Sequence, residues 1–511
     1  MSQGGVALVP EWLHWRAQVT PERLALVAEG RELSFAQLAA EADRVARRLA
    51  ELGLRPGDRL ATLLPNGLAA AVVPHAVSRL GLVLVPLNVR LLPDELAWQL
   101  ADCGTRWLLA APETVGLAQR AVERVAGCRL VLTEALDPSV PTATVLPELA
   151  PPLRRELDLG QVHTLVYTSG TTGRPKGALL TYGNHWWSAL GSAMNLGALA
   201  GDRWLVCLPL FHVGGLAILF RSVISGFTAL VHERFDPVAV NQAIDEERVT
   251  LLSVVSTMLH RMLEVRGGRP YPATLRCVLL GGGPAPRPLL DASARLGLPV
   301  AQTYGLTEAA SQVATLAPED TLRKLGSAGK PLFPNQVRIV TTGGEEARPG
   351  EVGEIQVRGP VVTPGYWNRP EATADALSDD GWLRTGDLGY LDADGYLYVL
   401  DRREDVVLSG GENVYPAEVE AALLAHPAVA EVVVVGVTDL EWGQRVVAAV
   451  RPAAGAAVSE GELQAWCRER LAGYKVPKEI RLVTELPRNA TGKLLRRAVR
   501  AWWEDAEKTG S

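Results

Sequence analysis

With 511 residues the chain is too long for one ordinary core, and at about 100–200 residues per domain it divides into two to four. Its 48% hydrophobic residues can fill those cores. The five cysteines are odd in number, scattered and free of CxxC spacing, which argues against a disulfide framework or a thiolate zinc site and for a reducing, cytoplasmic setting. A formal charge of −6 leaves no broad cationic surface for nucleic acid or anionic lipid.

Met1 to Trp15 shows no basic segment followed by an apolar core, and the most apolar later stretch, Leu68 to Val89, is broken by Pro74, His75, Arg79 and Pro86. Neither a signal peptide nor a membrane span is expected. Ser34 can N-cap a helix running through Leu49 to Leu52, and the Leu-rich run from Arg59 then reads as a buried strand ending at Pro65-Asn-Gly. The same strand grammar recurs from Leu80 to Pro86, at Trp107, Arg129, Arg203 and Leu251, and from Arg276. So many parallel-type strands separated by helices predict doubly wound α/β layers, with ligands at the strands' carboxyl ends.

After about residue 325 the texture changes to short strands and turns, such as Gly353–Gly359 and Leu397–Leu400, which predicts a small β-rich subdomain or barrel. From residue 401 a compact unit follows. It carries a helix near Pro416–Ala425, a Val-rich strand at Glu431–Gly436 and a basic amphipathic helix from Lys493 to Trp503.

The densest chemistry lies in Val166-Tyr-Thr-Ser-Gly-Thr-Thr-Gly-Arg-Pro-Lys-Gly177. A strand enters a turn holding the hydroxyls of Thr168, Ser169, Thr171 and Thr172, the glycines Gly170 and Gly173, and one cation, Lys176. Such a loop can wrap a polyphosphate with backbone N–H and hydroxyl donors. The spacing is not GxxxxGK[ST], so a P-loop NTPase is disfavoured. The segment resembles the signature of the adenylate-forming superfamily of acyl-CoA synthetases, adenylation domains and luciferases, and the resemblance runs in order along nearly the whole chain.

The resemblance implies a large N-terminal domain over residues 1–400, of doubly wound mixed sheets plus a small β-barrel at about 325–400. A hinge follows at 401–405, pivoting on Glu404 where relatives carry Asp or Lys, and then a mobile small α+β C-terminal domain over 406–511. By the same resemblance Thr303 and Tyr304 lie against adenine, beside Gly281, Gly282 and Gly283. Thr307 contacts the α-phosphate, Glu308 holds Mg²⁺ with Thr172, and Asp387 and Arg402 bind ribose. Gly410 and Gly411, in the Ser409–Asn413 loop, line the path of coenzyme A. Lys493 bridges carboxylate and α-phosphate, two anions whose repulsion a mobile ammonium relieves.

The implied reaction is attack of a carboxylate on the α-phosphate of ATP, giving acyl-adenylate and pyrophosphate, then displacement of AMP by a thiolate. The substrate, ATP and CoA are small molecules; quaternary state is left open, a homo-oligomer being compatible. The stretches Phe220–Phe227, Ala309–Leu316 and Lys324–Leu332 look most like o-succinylbenzoate–CoA ligases of menaquinone biosynthesis. Such a pocket must hold an aromatic carboxylate that does not react, for which Arg221, His212, Ser256 and Ser311 are candidates beside Gly305. The runner-up is a medium-chain fatty acid or aryl acid–CoA ligase. A stand-alone amino-acid-adenylating enzyme ranks below it, because the only Asp in Asp202–Phe211, Asp202 itself, lies too early, before the strand, to meet an ammonium. The chain has no GxSxG elbow for a serine hydrolase and no GxGxxG for a nicotinamide oxidoreductase.

Overall fold

A computed structural model describes residues 7–137, 139, 151–169, 175–282, 287–321, 323–402, 406–487 and 496–509. Two compact units emerge. One comprises Met1–Val89, Ala97–Tyr167 and Gly177–Leu400, and the other Arg90–Leu96, Thr168–Lys176 and Asp401–Ser511.

The first unit is built on two large sheets. A six-stranded sheet runs in the order Pro175–Thr181, Val162–Ser169, Val83–Pro86, Arg59–Leu63, Trp107–Ala110, Arg129–Leu132. Its pairs from Val162–Ser169 to Arg129–Leu132 are parallel. The Trp107–Ala110 strand is buried at every position, which is why these strands read as continuous apolar runs and not as alternating ones. The strand expected from Leu80 starts at Val83, because Gly81 takes the left-handed conformation (φ 76°) and ends the preceding helix, Leu68–Leu80. Among the described residues no helix is long and apolar enough to cross a membrane.

The nine-stranded sheet has a parallel centre of Val300–Leu306, Cys277–Gly281, Leu251–Val255, Arg203–Val206, Thr228–Val231 and Leu24–Ala28. Antiparallel strands close both edges. Parallel pairing sends the segments after Val206, Val255, Gly281 and Leu306 out of the same end of the sheet, and that end carries the candidate site.

Helix Phe35–Glu51 shows how local chemistry sets an element. Ser34 and Gln37 form a reciprocal capping box, and Leu38, Ala42, Val45, Ala46 and Leu49 fall on one buried face. Loss of the Ser34 cap would cost about 1 kcal/mol. The β-rich subdomain is a four-stranded sheet in the order Gln336–Val340, Gly353–Arg358, Leu383–Leu391, Leu397–Arg402.

In the second unit the strand Val429–Asp439 pairs antiparallel with Gly443–Pro452, and Glu479–Leu482 adds in parallel. Valines at 432, 434, 446 and 450 pack with Val419, Leu423 and Leu463 of the helices Pro416–Leu424 and Glu460–Arg468. The Val-rich strand is longer than the expected 431–436 because both faces of the sheet are covered: Val433, Val435 and Val437 pack on Val499 and Trp503 of helix Arg496–Thr509.

Candidate active site

Strand Val300–Leu306 ends in a short 3₁₀ turn, Thr307–Ala309, that carries Thr307 and Glu308. The pairing register shifts between Tyr304 and Gly305, a bulge that re-aims the side chains beyond it. A Cβ on Gly305 would sit 1.7 Å from the Ser311 carbonyl oxygen, so the turn requires glycine there. Ala310 (φ 50°) and Ser311 (φ 101°) are non-glycine residues with left-handed backbone, conformations that persist only where surroundings hold them. Ser188 supplies one restraint, donating from its hydroxyl to the Ala310 carbonyl at 2.7 Å. Thr303 adds another through the Ala314 carbonyl at 3.0 Å.

Two polar contacts organise the motif. The Tyr304 hydroxyl donates to Asp387 at 2.5 Å, and both residues are buried. Asp387 lies inside strand Leu383–Leu391, where its N–H donates to the Thr385 hydroxyl at 3.0 Å and Gly386 (φ 73°) makes the bend. The Glu308 carboxylate accepts a 2.9 Å hydrogen bond from the Tyr366 hydroxyl. Gly281 and Gly282 follow at the end of the neighbouring strand; a Cβ on Gly281 would come within 3.0 Å of Thr303 Cγ2, which keeps that wall thin.

A further wall rises from the Arg203–Val206 and Leu251–Val255 strands. Asn66 fixes the loop after the first, donating to the Leu208 carbonyl at 2.9 Å and accepting from the Leu210 N–H at 2.9 Å. That loop delivers Phe211 and His212, rings 4.7 Å apart, to the start of helix Val213–Ser225. Ser256 opens the next helix, Ser256–Arg266. Arg221, on the first of these helices, is only 3% exposed. Its guanidinium lies 5.6 Å from the Trp204 ring centroid and donates to the Ser188 hydroxyl at 3.4 Å, while Nε has no hydrogen-bond partner among the described residues. Burial pushes it down to about 10, and no charged neighbour offsets that cost among the described residues.

In the second unit the Thr168 hydroxyl donates to the Lys176 carbonyl at 3.5 Å, drawing together the two ends of the hydroxyl-rich loop. Gly410 (φ 59°) and Gly411 (φ 84°) form the turn of the hairpin Val407–Ser409 and Glu412–Val414, where two left-handed residues match the strand twist. A Cβ on Gly410 would meet Trp442 at 2.8 Å. Gly170, Thr171, Thr172, Gly173, Gly283, Glu404 and Lys493 lie outside the described residues, as do the side chains of Ser169 and Arg402.

The geometry thus joins Thr303, Tyr304, Gly305, Thr307, Glu308 and Ser311 with Asp387, and brings Arg221 within reach of the same turn through Ser188. Tyr366 and Ser188 were not anticipated from the sequence. Tyr366 sits in Gly365-Tyr-Trp-Asn-Arg-Pro370, whose aromatic pair inside a Gly and Pro turn was the only signal there. No group of three or more His, Cys, Asp or Glu among the described residues could hold a metal ion. A single carboxylate suits magnesium that arrives with nucleotide phosphates, since this hard ion takes one or two protein oxygens and fills the rest with phosphate and water.

The AMP-binding enzyme family matches residues 13–367, and the AMP-binding enzyme C-terminal domain matches residues 418–493. A 2-succinylbenzoate–CoA ligase of Geobacillus kaustophilus is 52% identical, over 98% of this chain and 99% of its own. Among solved structures, a double mutant of o-succinylbenzoate CoA synthetase from Bacillus subtilis, bound with the product analogue OSB-NCoA, superposes with TM-score 0.90 at 45% identity, covering 96% of this chain and 98% of that one. The same Bacillus subtilis enzyme in complex with ATP and magnesium gives TM-score 0.74 at 45% identity, covering 96% and 99%. The chain belongs to the AMP-binding, adenylate-forming enzymes, and within them to the 2-succinylbenzoate–CoA ligase type.

Proposed function

We propose that the chain joins o-succinylbenzoate to coenzyme A at the expense of ATP, in two steps. A carboxylate oxygen attacks the α-phosphorus and pyrophosphate leaves; the CoA thiolate then attacks the acyl carbon and AMP leaves. The observation that carries the choice of acid is Arg221, a buried guanidinium with no carboxylate bearing on it among the described residues. Burying an uncompensated cation is costly, and a second, unreactive carboxylate on the substrate would supply the missing charge. A medium-chain or aryl monoacid would leave Arg221 unpaired. His212, Ser256, Gly305 and Ser311 complete the acyl pocket in this reading.

Tyr304, with Thr303 and Gly281–Gly283, takes adenine, and Asp387 and Arg402 take the ribose hydroxyls. The Thr168–Lys176 loop, with Ser169, Thr171 and Thr172, takes the phosphates. Lys493 brings the carboxylate and the α-phosphate together, opposing their repulsion and the charge that develops on the phosphoryl oxygens. Glu308 and Thr172 would hold magnesium, which neutralises phosphate charge when bound. Gly410 and Gly411 admit the CoA arm, and the boundary at 401–405 with Glu404 as pivot belongs to the same proposal. We place the enzyme in the cytoplasm, with no nucleic-acid or membrane partner, in keeping with its charge and free cysteines.

The test is mass-detected, ATP-dependent thioester formation against o-succinylbenzoate, benzoate, octanoate and amino acids. Strong preference for o-succinylbenzoate is expected, with loss of pyrophosphate release in Lys493→Ala. Preference for monoacids would overturn the choice of acid, and adenylation without a CoA product would overturn the acceptor.

A further inference from the structure

Residues 360–369 contain no strand or helix, yet their backbone is fastened along its length. Asn184 donates from its amide to the Pro360 and Val362 carbonyls, both at 2.9 Å. The Thr363 hydroxyl donates to the Leu179 carbonyl at 2.5 Å, the Leu179 N–H to the Gly365 carbonyl at 3.0 Å, and the Trp367 N–H to the Gly177 carbonyl at 2.8 Å. The Thr363 N–H reaches the Glu308 carbonyl at 2.7 Å. The segment is therefore a strap that crosses the strand leaving the hydroxyl-rich loop and touches the turn bearing Glu308.

Asp102 anchors the far end. Its backbone carbonyl accepts from the Trp367 indole at 3.0 Å, and its carboxylate pairs with Arg369 and accepts from the Tyr167 hydroxyl at 2.8 Å. Arg59 stacks on the Trp367 ring at 4.6 Å. Asn368 is held with left-handed backbone (φ 48°), a cost accepted only where the surroundings over-determine the conformation. Between these anchors stands Tyr366, its N–H bonded to the Thr373 hydroxyl at 3.0 Å and its own hydroxyl 2.9 Å from Glu308 Oε1.

We propose that Tyr366 is a positioning residue for Glu308, its hydroxyl fixing the plane of the carboxylate so that the metal and nucleotide phosphates meet it in one orientation. The proposal rests on the reading of Glu308 as the magnesium carboxylate. A carboxylate on a short turn rotates freely about its last torsion. A donor fixed by a strap removes that freedom, and partners of this kind typically change metal affinity by about 10–100-fold. The strap also bonds to Gly177 and Leu179, so the orientation of Glu308 is tied to the strand that follows the phosphate loop.

The experiment is calorimetric titration of the full chain with ATP, without acid or CoA, once in magnesium and once in EDTA. The readout is the ratio of the two dissociation constants. Tyr366→Phe is expected to bind ATP in EDTA as the unmodified chain does, and to lose about tenfold of the magnesium enhancement. Glu308→Gln is expected to lose most of it. If Tyr366→Phe keeps the full enhancement while Glu308→Gln loses it, the positioning role is wrong and the reading of Glu308 stands. Equal weakening of Tyr366→Phe in both buffers would assign the hydroxyl a purely structural role and overturn the proposal. If Glu308→Gln keeps the enhancement, the underlying reading fails with it.

Discussion

The Tyr304 hydroxyl is bonded to the Asp387 carboxylate at 2.5 Å, so the side chain assigned to adenine and the one assigned to ribose orient each other across 83 residues of sequence. A hydrogen bond to a buried charge contributes more than a neutral one, about 1.5–3 kcal/mol. Tyr304→Phe is expected to lower the unfolding free energy by about 2 kcal/mol, read from urea denaturation. It should also raise KM for ATP several-fold while leaving KM for the acid nearly unchanged. Equal effects on both substrates would show that the pair supports the whole site and not the nucleotide half.

Arg221 supports a prediction in which function and stability oppose each other. Its folded value of about 10 lies below the ordinary 12.5, so below about pH 10 the side chain stays charged and that buried charge destabilises the fold relative to the unfolded chain. At neutral pH this corresponds to about 3 kcal/mol, relieved only as pH rises through the interval between the two values. Arg221→Met removes the cation and keeps most of the volume, as in buried ion-pair replacements that stabilise. The variant is expected to melt higher than the parent in the absence of substrate. It should gain less from added o-succinylbenzoate and discriminate poorly between that acid and a monoacid. A lower melting temperature with selectivity intact would mean that Arg221 is a packing residue.

Gly305 tests the turn itself. A methyl group added there would lie 1.7 Å from the Ser311 carbonyl oxygen, so Gly305→Ala must push the Thr307–Ser311 turn away from its strand. Overpacking of this kind typically costs about 1–3 kcal/mol, and displacement of positioned groups by an ångström can cost about a hundredfold in rate. The expected outcome is a folded protein whose kcat/KM for ATP falls by about two orders of magnitude. Near-normal kinetics would show that the bulge can relax.

Much of this architecture is legible in the sequence, for local reasons. The helix Phe35–Glu51 is announced by Ser34, Gln37 and a 3.6-residue apolar period, and the buried strands by short apolar runs bounded by turn residues. Strand order is not, because beyond its local hairpin partner Arg31–Ser34 the strand Leu24–Ala28 pairs in parallel with Thr228–Val231, about 200 residues away, and no local signal specifies that pairing. The site divides in the same way. Thr307 and Glu308 stand out only because their short segment resembles a family motif in its place along the chain, whereas Tyr366 bonds Glu308 across 58 residues and Asp102 pairs with Arg369 across 267. The left-handed backbone at Ala310 and Ser311 is invisible for another reason: both are ordinary residues, forced there by contacts that Ser188 and Gly305 make possible.

The last prediction concerns acid. His75, His163 and His185 are all buried in one apolar cluster, where His163 stacks on Tyr182 at 4.2 Å and both His163 and His185 pack against Phe220. Burial lowers His75 to about 4 and His185 to about 3, and holds His163 well below its ordinary 6.5. In the unfolded chain each would take up a proton near pH 6.5, whereas the folded chain keeps them neutral. Stability is therefore constant above about pH 6.5 and falls as pH drops below it, with the unfolded state gaining protons first. Each histidine contributes about 2 kcal/mol of this loss by about pH 5. Glu11 and Glu418, both shifted upward by burial, act in the opposite sense as pH falls and offset only part of the loss from the three histidines. His163→Phe removes a fully buried titratable ring and retains an aromatic face for Tyr182 and Phe220. The variant should match or exceed the parent at about pH 7.5 and lose less stability on going to about pH 5, compared by urea midpoints at the two values. An unchanged acid slope would show that His163 is protonated in the fold, and would remove the cluster as the source of acid sensitivity.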